Sequence, residues 1–231
     1  MKKTLLAITA AALVTPALPV LSADSPLSAN IGVFSDYRFR GVSQTDKKAA
    51  VQGGFDYSAP NGFYVGNWNS SISWIGQNSS GLESDFYIGY ATEMGGIGID
   101  VGNLYYAYPG ASDTNTNEVY LGLSYGPITF KTSYSTSDYF GTANTDGTLY
   151  YNLSGSFELS DGVSLTAAAG YTKLKGSSEA DGYDYSVGIS YGLPEGFELG
   201  VSYISTSGDY KVANESLGSD AAFVVSISKS F

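Results

Sequence analysis

A two-residue alternation, repeated in segment after segment from Asn30 to Phe231, restricts this chain more than any other feature. In "NEVYLGLSYG" the apolar face is Val119, Leu121, Leu123 and Tyr125. In "YDYSVGISYG" it is Tyr183, Tyr185, Val187, Ile189 and Tyr191. "TLYYNLSGSFEL", "FELGVSYIST" and the closing "FVVSISKSF" follow the same rule, with Ser226, Ser228 and Ser230 between apolar neighbours in the last. Successive strand side chains point to opposite sides, so each segment is a strand with one greasy and one small or polar face.

Alternation alone fits a soluble sandwich as well as a membrane barrel, and the connectors separate the two. Short ones fall at 59–62, 94–96, 126–127, 160–162 and 193–196, rich in Gly, Pro, Asn and Asp. Between them lie longer polar loops beginning at Ser43, Gly76, Pro109, Asp138, Lys175 and Asp209. Five short turns and six long loops join twelve strands, with ten or fourteen as the alternatives. An even number of roughly ten-residue strands with connectors that alternate in length is the pattern of an outer-membrane barrel, its short turns periplasmic and its long loops extracellular. The composition agrees: Gly, Tyr and Phe number 29, 20 and 11, against 7 Pro, which suits strands and turns and leaves little for helices. A soluble lipocalin-like barrel would bury its apolar face inward and need polar residues outside, yet the small and polar set here is too small to fill a core.

The N-terminus has the three parts of a secretory signal: Lys2 and Lys3, an apolar stretch from Leu5 to Val14, and small residues up to Ser22 and Ala23. Cleavage after Ala23 is expected, leaving a single barrel domain over 24–231. No later apolar run reaches the length of a membrane helix.

The acids number 22 against 11 basic residues, which excludes nucleic acid as a partner. The chain has neither His nor Cys. Thiolate and imidazole metal sites, thiol nucleophiles and His-assisted hydrolysis are therefore unavailable, and neither an enzyme nor a cofactor is expected. "DTNTNE" from Asp113 begins like a calcium loop but has Glu118 where Gly is needed, so no metal site is assigned.

With the greasy face toward lipid, the other face lines a lumen. The candidates there are Asp36, Arg38, Arg40, Gln52, Asp56, Glu83, Asp85, Asp100, Lys131, Asn152, Glu158, Asp184 and Glu198. Arg38 and Arg40 either brace the wall by pairing with acids such as Asp36 and Asp56 or select solutes by charge. In "FYVGNWNSSISW" Trp68, Ile72 and Trp74 are assigned outward and Asn67, Asn69 and Ser71 inward. Membrane barrels place aromatics in two interface belts. Tyr57, Tyr125, Phe130, Tyr191, Phe197 and Phe231 belong to the short-turn belt, and Tyr37, Phe39, Trp74, Tyr134, Tyr171, Tyr183 and Tyr203 to the long-loop belt. A twelve-stranded barrel is narrower than the large porins, and side chains or an inward-folded loop suffice to close it.

From Ala29 to Ile72 the chain closely resembles the N-terminal region of the proteobacterial TorF family of porin-type proteins, also called Gcw_chp. The match rests on Ser35-Asp36-Tyr37-Arg38-Phe39-Arg40-Gly41, Ser43-Gln44, Gln52-Gly53-Gly54 and Gly62-Phe63-Tyr64-Val65-Gly66. The resemblance implies a Gram-negative outer-membrane location and a porin role. The expected function is passive diffusion of small hydrophilic solutes through a narrow, acidic lumen, by a monomer or a homo-oligomer. The alternative is a closed structural or adhesive barrel. Lipid is the expected partner outside, and the strand ending at Phe231 resembles the signal that barrel-assembly machinery reads.

Overall fold

The computed structural model describes residues 25–73, 81–176, 181–207 and 220–231. The expected signal segment and Trp74 lie outside the described residues. Fourteen strands follow in order: β1 (Leu27–Phe34), β2 (Arg38–Phe39), β3 (Val42–Ser43), β4 (Ala50–Ser58), β5 (Phe63–Ser71), β6 (Leu82–Met94), β7 (Ile97–Ala107), β8 (Thr116–Tyr125), β9 (Ile128–Ser135), β10 (Leu149–Ser160), β11 (Val163–Lys173), β12 (Gly182–Gly192), β13 (Phe197–Thr206) and β14 (Ala222–Ser230). All but β2 and β3 form one closed barrel in which each strand pairs antiparallel with the next and β1 closes on β14, Val33 opposite Ile227. The barrel therefore has the twelve strands read from the sequence, and closure removes the free edges that a sheet would expose.

Left-handed glycines set the tight turns. Gly95 and Gly96 (φ +63 and +82) join β6 to β7, Gly126 (φ +55) joins β8 to β9, and Gly162 (φ +72) joins β10 to β11. All lie at one end of the barrel. The described parts of the long connectors lie at the other.

The outer face is mainly aliphatic and aromatic: Val187 and Ile189 of β12 are each 50% exposed and Phe55 of β4 is 69% exposed. The buried residues lie inside the barrel, an arrangement inverted from that of a water-soluble domain. They cluster near the long-loop end, where Tyr37, Phe39, Tyr106, Tyr108, Tyr139 and Phe140 pack together.

Two connectors fold inward to make that cluster. The chain leaves the wall after β1, enters the lumen as the small β2–β3 hairpin, and rejoins the wall at β4. Its turn is built on Arg40 (φ +47) and Gly41 (φ +83). The connector between β9 and β10 supplies Tyr139 and Phe140, and Phe39 meets Phe140 edge to face at 5.3 Å.

Candidate functional site

The candidate site is the barrel interior, and its densest part is the hairpin plug. Asp36 accepts hydrogen bonds from Arg38 Nε (2.7 Å), Ser43 Oγ (2.6 Å) and Thr45 Oγ1 (3.0 Å), which fold the hairpin around one carboxylate. Arg38 also donates to the carbonyls of Gly41 and Asp220. Lys47 pairs with the Asp220 side chain at 2.8 Å, tying the hairpin to the connector before β14.

Arg40 projects from the hairpin tip toward the far wall. Its Nη2 bridges both carboxylate oxygens of Glu118 on β8 at 2.9 and 2.8 Å, and Nη1 donates to Tyr139 Oη at 2.7 Å. The guanidinium lies 4.0 Å from the ring centre of Tyr150 on β10. Tyr37 donates to Glu83 Oε1 at 2.6 Å and stands edge-on to Trp68. Burial, then the charges of Glu83 and Asp85, push the Tyr37 phenol well above its ordinary pKa, so it remains a donor.

Below the plug, toward the short-turn end, one wall is aromatic and acidic. Tyr64 of β5 donates to Asp100 of β7 at 2.6 Å and shares a short contact with Tyr120 of β8, while Tyr87 of β6 donates to Asp56 of β4. Lys131 Nζ of β9 sits 3.8 Å from the ring centre of Tyr120. Strands β11 to β14, across the barrel, line their inner face with small residues such as Ala168, Ser186, Ser202 and Ser226. Tyr150 donates to Asp184 Oδ1 of β12 at 3.1 Å where the two walls meet.

The structure places the sequence-derived interior set as follows. Gln52, Asp56, Glu83, Asp85, Asp100, Lys131, Asn152 and Asp184 face inward from the wall, and Asp36, Arg38 and Arg40 occupy the lumen from the plug. Glu198 lies near the short-turn end, accepting from Ser190 Oγ at 3.2 Å. Glu158 is exposed at the mouth, beside a register shift between β10 and β11.

Two corrections concern aromatic residues. Tyr37 and Phe39 do not face outward: they are 1% and 6% exposed and pack inside the plug, because their segment has left the wall and both of its faces meet protein. In β5 the two faces are reversed from expectation. Trp68 and Ile72 point inward against the plug, and Asn67, Asn69 and Ser71 point outward. The outward amides are satisfied by local bonding: Asn69 donates to Asn67, Ser84 donates to Asn69, and Asn67 donates to the Asp85 carbonyl.

Tyr57, Tyr125, Phe130, Tyr134, Tyr183, Tyr191, Phe197 and Phe231 are exposed on the outer face. Tyr171 and Tyr203 are half-buried there among other rings. Sequence reasoning missed Glu118, the partner of Arg40. The same alternation that put Val119 and Leu121 outward puts Glu118 inward.

Among solved structures, the fold matches the KdgM porin (11% identity, 88% of this chain and 99% of that one, TM-score 0.58) and the NanC porin (11%, 89% and 98%, TM-score 0.59). It also matches a KdgM porin in complex with disordered oligogalacturonate (12%, 89% and 98%, TM-score 0.56). At these identities the likeness is one of fold. No protein of curated function matches the sequence. The family description "Bacterial protein of unknown function (Gcw_chp)" matches residues 21–231, which take in the whole barrel and its plug, and the chain belongs to that family.

Proposed function

We propose that this protein is an outer-membrane channel of a Gram-negative bacterium, admitting small hydrophilic solutes by passive diffusion and preferring cationic or neutral ones. The observation that carries this reading is the inverted distribution of residues: a closed twelve-stranded barrel, mainly apolar outside, with most of the wall's ionic groups inside. The fold shared with the KdgM and NanC porins supports it.

The solute preference rests on charge. The inward acids Asp36, Asp56, Glu83, Asp85, Asp100, Glu118, Asp184 and Glu198 outnumber the inward cations Arg38, Arg40 and Lys131 among the described residues. A polyanion of the oligogalacturonate kind, bound in one solved relative by fold, meets repulsion in such an interior. The path runs between the tyrosine wall of β5 to β8 and the serine- and alanine-lined wall of β11 to β14. Phe231 and the outer face of β14 carry the assembly signal.

Liposome swelling tests the reading. Vesicles containing the folded barrel should swell faster in small neutral sugars and amines than in uronates of equal size. Equal rates for all three, or none above empty vesicles, contradict it.

A second reading has its own observation. The plug joins the lumen walls through Arg40 and Glu118, which is the arrangement of a barrel held shut for a structural or adhesive role.

A further inference from the structure

Two amides stand on the outer face at mid-strand. Asn67 is the middle residue of β5 and shares its face with the exposed Val65, and Asn103, one residue past the middle of β7, lies between the exposed Val101 and Tyr105. The outward residues nearest the midpoints of β10, β12, β13 and β14 are Leu153, Val187, Val201 and Val225. Asn67 spends one N–H on the Asp85 carbonyl at 3.0 Å, and Asn103 spends one on the Glu118 carbonyl at 3.3 Å. An amide carries two N–H donors, and among the described residues the second donor of each has no acceptor. Acyl chains offer none, so contact with lipid tails at this depth is costly.

The aromatic belt is interrupted on the same side. Among the two outward residues nearest the long-loop end, β9 to β14 each present a ring: Tyr134, Tyr151, Tyr171, Tyr183, Tyr203 and Phe223. In the same positions β4 presents Val51 and Gly53, β5 presents Ser71 and Asn69, and β6 presents Leu82 and Ser84. Rings gather where a barrel meets lipid headgroups, so their absence from three adjacent strands marks wall that is not built for that contact. Register sets Gly53 beside Asn69 and Asn69 beside Ser84, and Ser84 Oγ donates to Asn69 at 2.8 Å. Small and hydrogen-bonding residues in this combination let two protein walls approach closely within a bilayer.

We propose that the outer face of β4 to β7 is the contact for a second copy of this chain, packed across a two-fold axis with Asn67, Asn69 and Asn103 set around Phe86. Across such an axis a patch meets itself, and an amide, being both donor and acceptor, complements its own copy. Lipid tails supply neither donor nor acceptor. The inference requires the barrel to lie in a bilayer and does not require it to conduct.

The chain has no Cys, so a single introduced thiol reports its contacts without background. On oxidation in phospholipid vesicles, Asn69→Cys barrels should run as disulfide-linked dimers, while Val187→Cys barrels, with the thiol on β12, should stay single. A second measurement counts barrels directly. Ser112→Cys, in the connector between β7 and β8, carries a dye, and at low protein-to-lipid ratio each fluorescent spot should bleach in two steps. Adding Asn67→Leu and Asn103→Leu should return one step. Dimer yield no higher at Asn69→Cys than at Val187→Cys, spots of one or three steps, or two steps that survive the leucines overturns the proposal. Should Asn69→Cys or the leucine variant give no heat-modifiable folded band, the step count of the dye-labelled Ser112→Cys barrel decides: two supports the proposal, one or three overturns it. Paired barrels that conduct nothing remove the channel reading and leave the contact. Conducting single barrels do the reverse.

Discussion

Arg40 and Glu118, from opposite sides of the lumen, are joined by a single guanidinium nitrogen that contacts both carboxylate oxygens, at 2.9 and 2.8 Å. The two side chains are 5% and 3% exposed, so neither charge is shared with bulk water. The contact fixes the hairpin tip to β8 and leaves the passage beside it to be set by how firmly that hold persists.

Removing one partner leaves the other charge buried and alone. Arg40→Ala should therefore cost about 3–5 kcal/mol, read as a lower temperature for loss of the compact band in heat-modifiability gels. The same variant should conduct more than the wild type. Arg40→Met combined with Glu118→Leu should regain most of the stability, because neither charge then remains.

The hairpin turn allows a milder test. Gly41 has φ +83, and a Cβ there would lie 2.7 Å from Cβ of Thr206. Gly41→Ala should destabilise by about 1–3 kcal/mol through backbone strain and the clash together. Its channel should show noisier, larger openings than the wild type, since the plug is displaced while its charges remain.

Tyr37 ties the plug to β6 through Glu83. Tyr37→Phe strands a buried carboxylate oxygen and should cost about 1–3 kcal/mol at neutral pH. Burial and the nearby carboxylates raise the phenol's pKa above the unfolded value of 10.0. Its stabilising contribution is thus full below pH 10 and is lost as pH rises through the folded value. Denaturant titrations at alkaline pH should show a shallower loss of stability in Tyr37→Phe than in wild type.

Val187 lies midway along β12, exposed on the outer face between Tyr183 and Tyr191. Val187→Arg should cost about 2–4 kcal/mol in lipid-vesicle unfolding, as expected for a charge near the bilayer midplane. A cost near zero would mean that water, not hydrocarbon, touches that face.

The wall was legible in the sequence because one side of each barrel strand is apolar: β12 alternates residue by residue, and β8 and β14 depart from the pattern at Asn117 and Lys229. The turns were legible because Gly95, Gly126 and Gly162 adopt a backbone that other residues avoid. The plug was not legible. "SDYRFRGVSQ" alternates like a strand, but inside a lumen both faces of a hairpin are covered by protein, so polarity no longer reports direction. The same effect hid β5: Trp68 turns inward because Tyr37 of the plug receives it, a contact that no local pattern announces. Glu118 follows from parity alone, since its neighbour Val119 faces outward.

Planar-bilayer recording tests most directly whether ions cross the barrel through its acidic interior past this plug. Purified, folded protein should insert in discrete steps of small conductance, and under a salt gradient the reversal potential should show cation preference, diminished by Asp56→Asn with Asp100→Asn. Folded barrels that give no steps, or steps with anion preference, would contradict it.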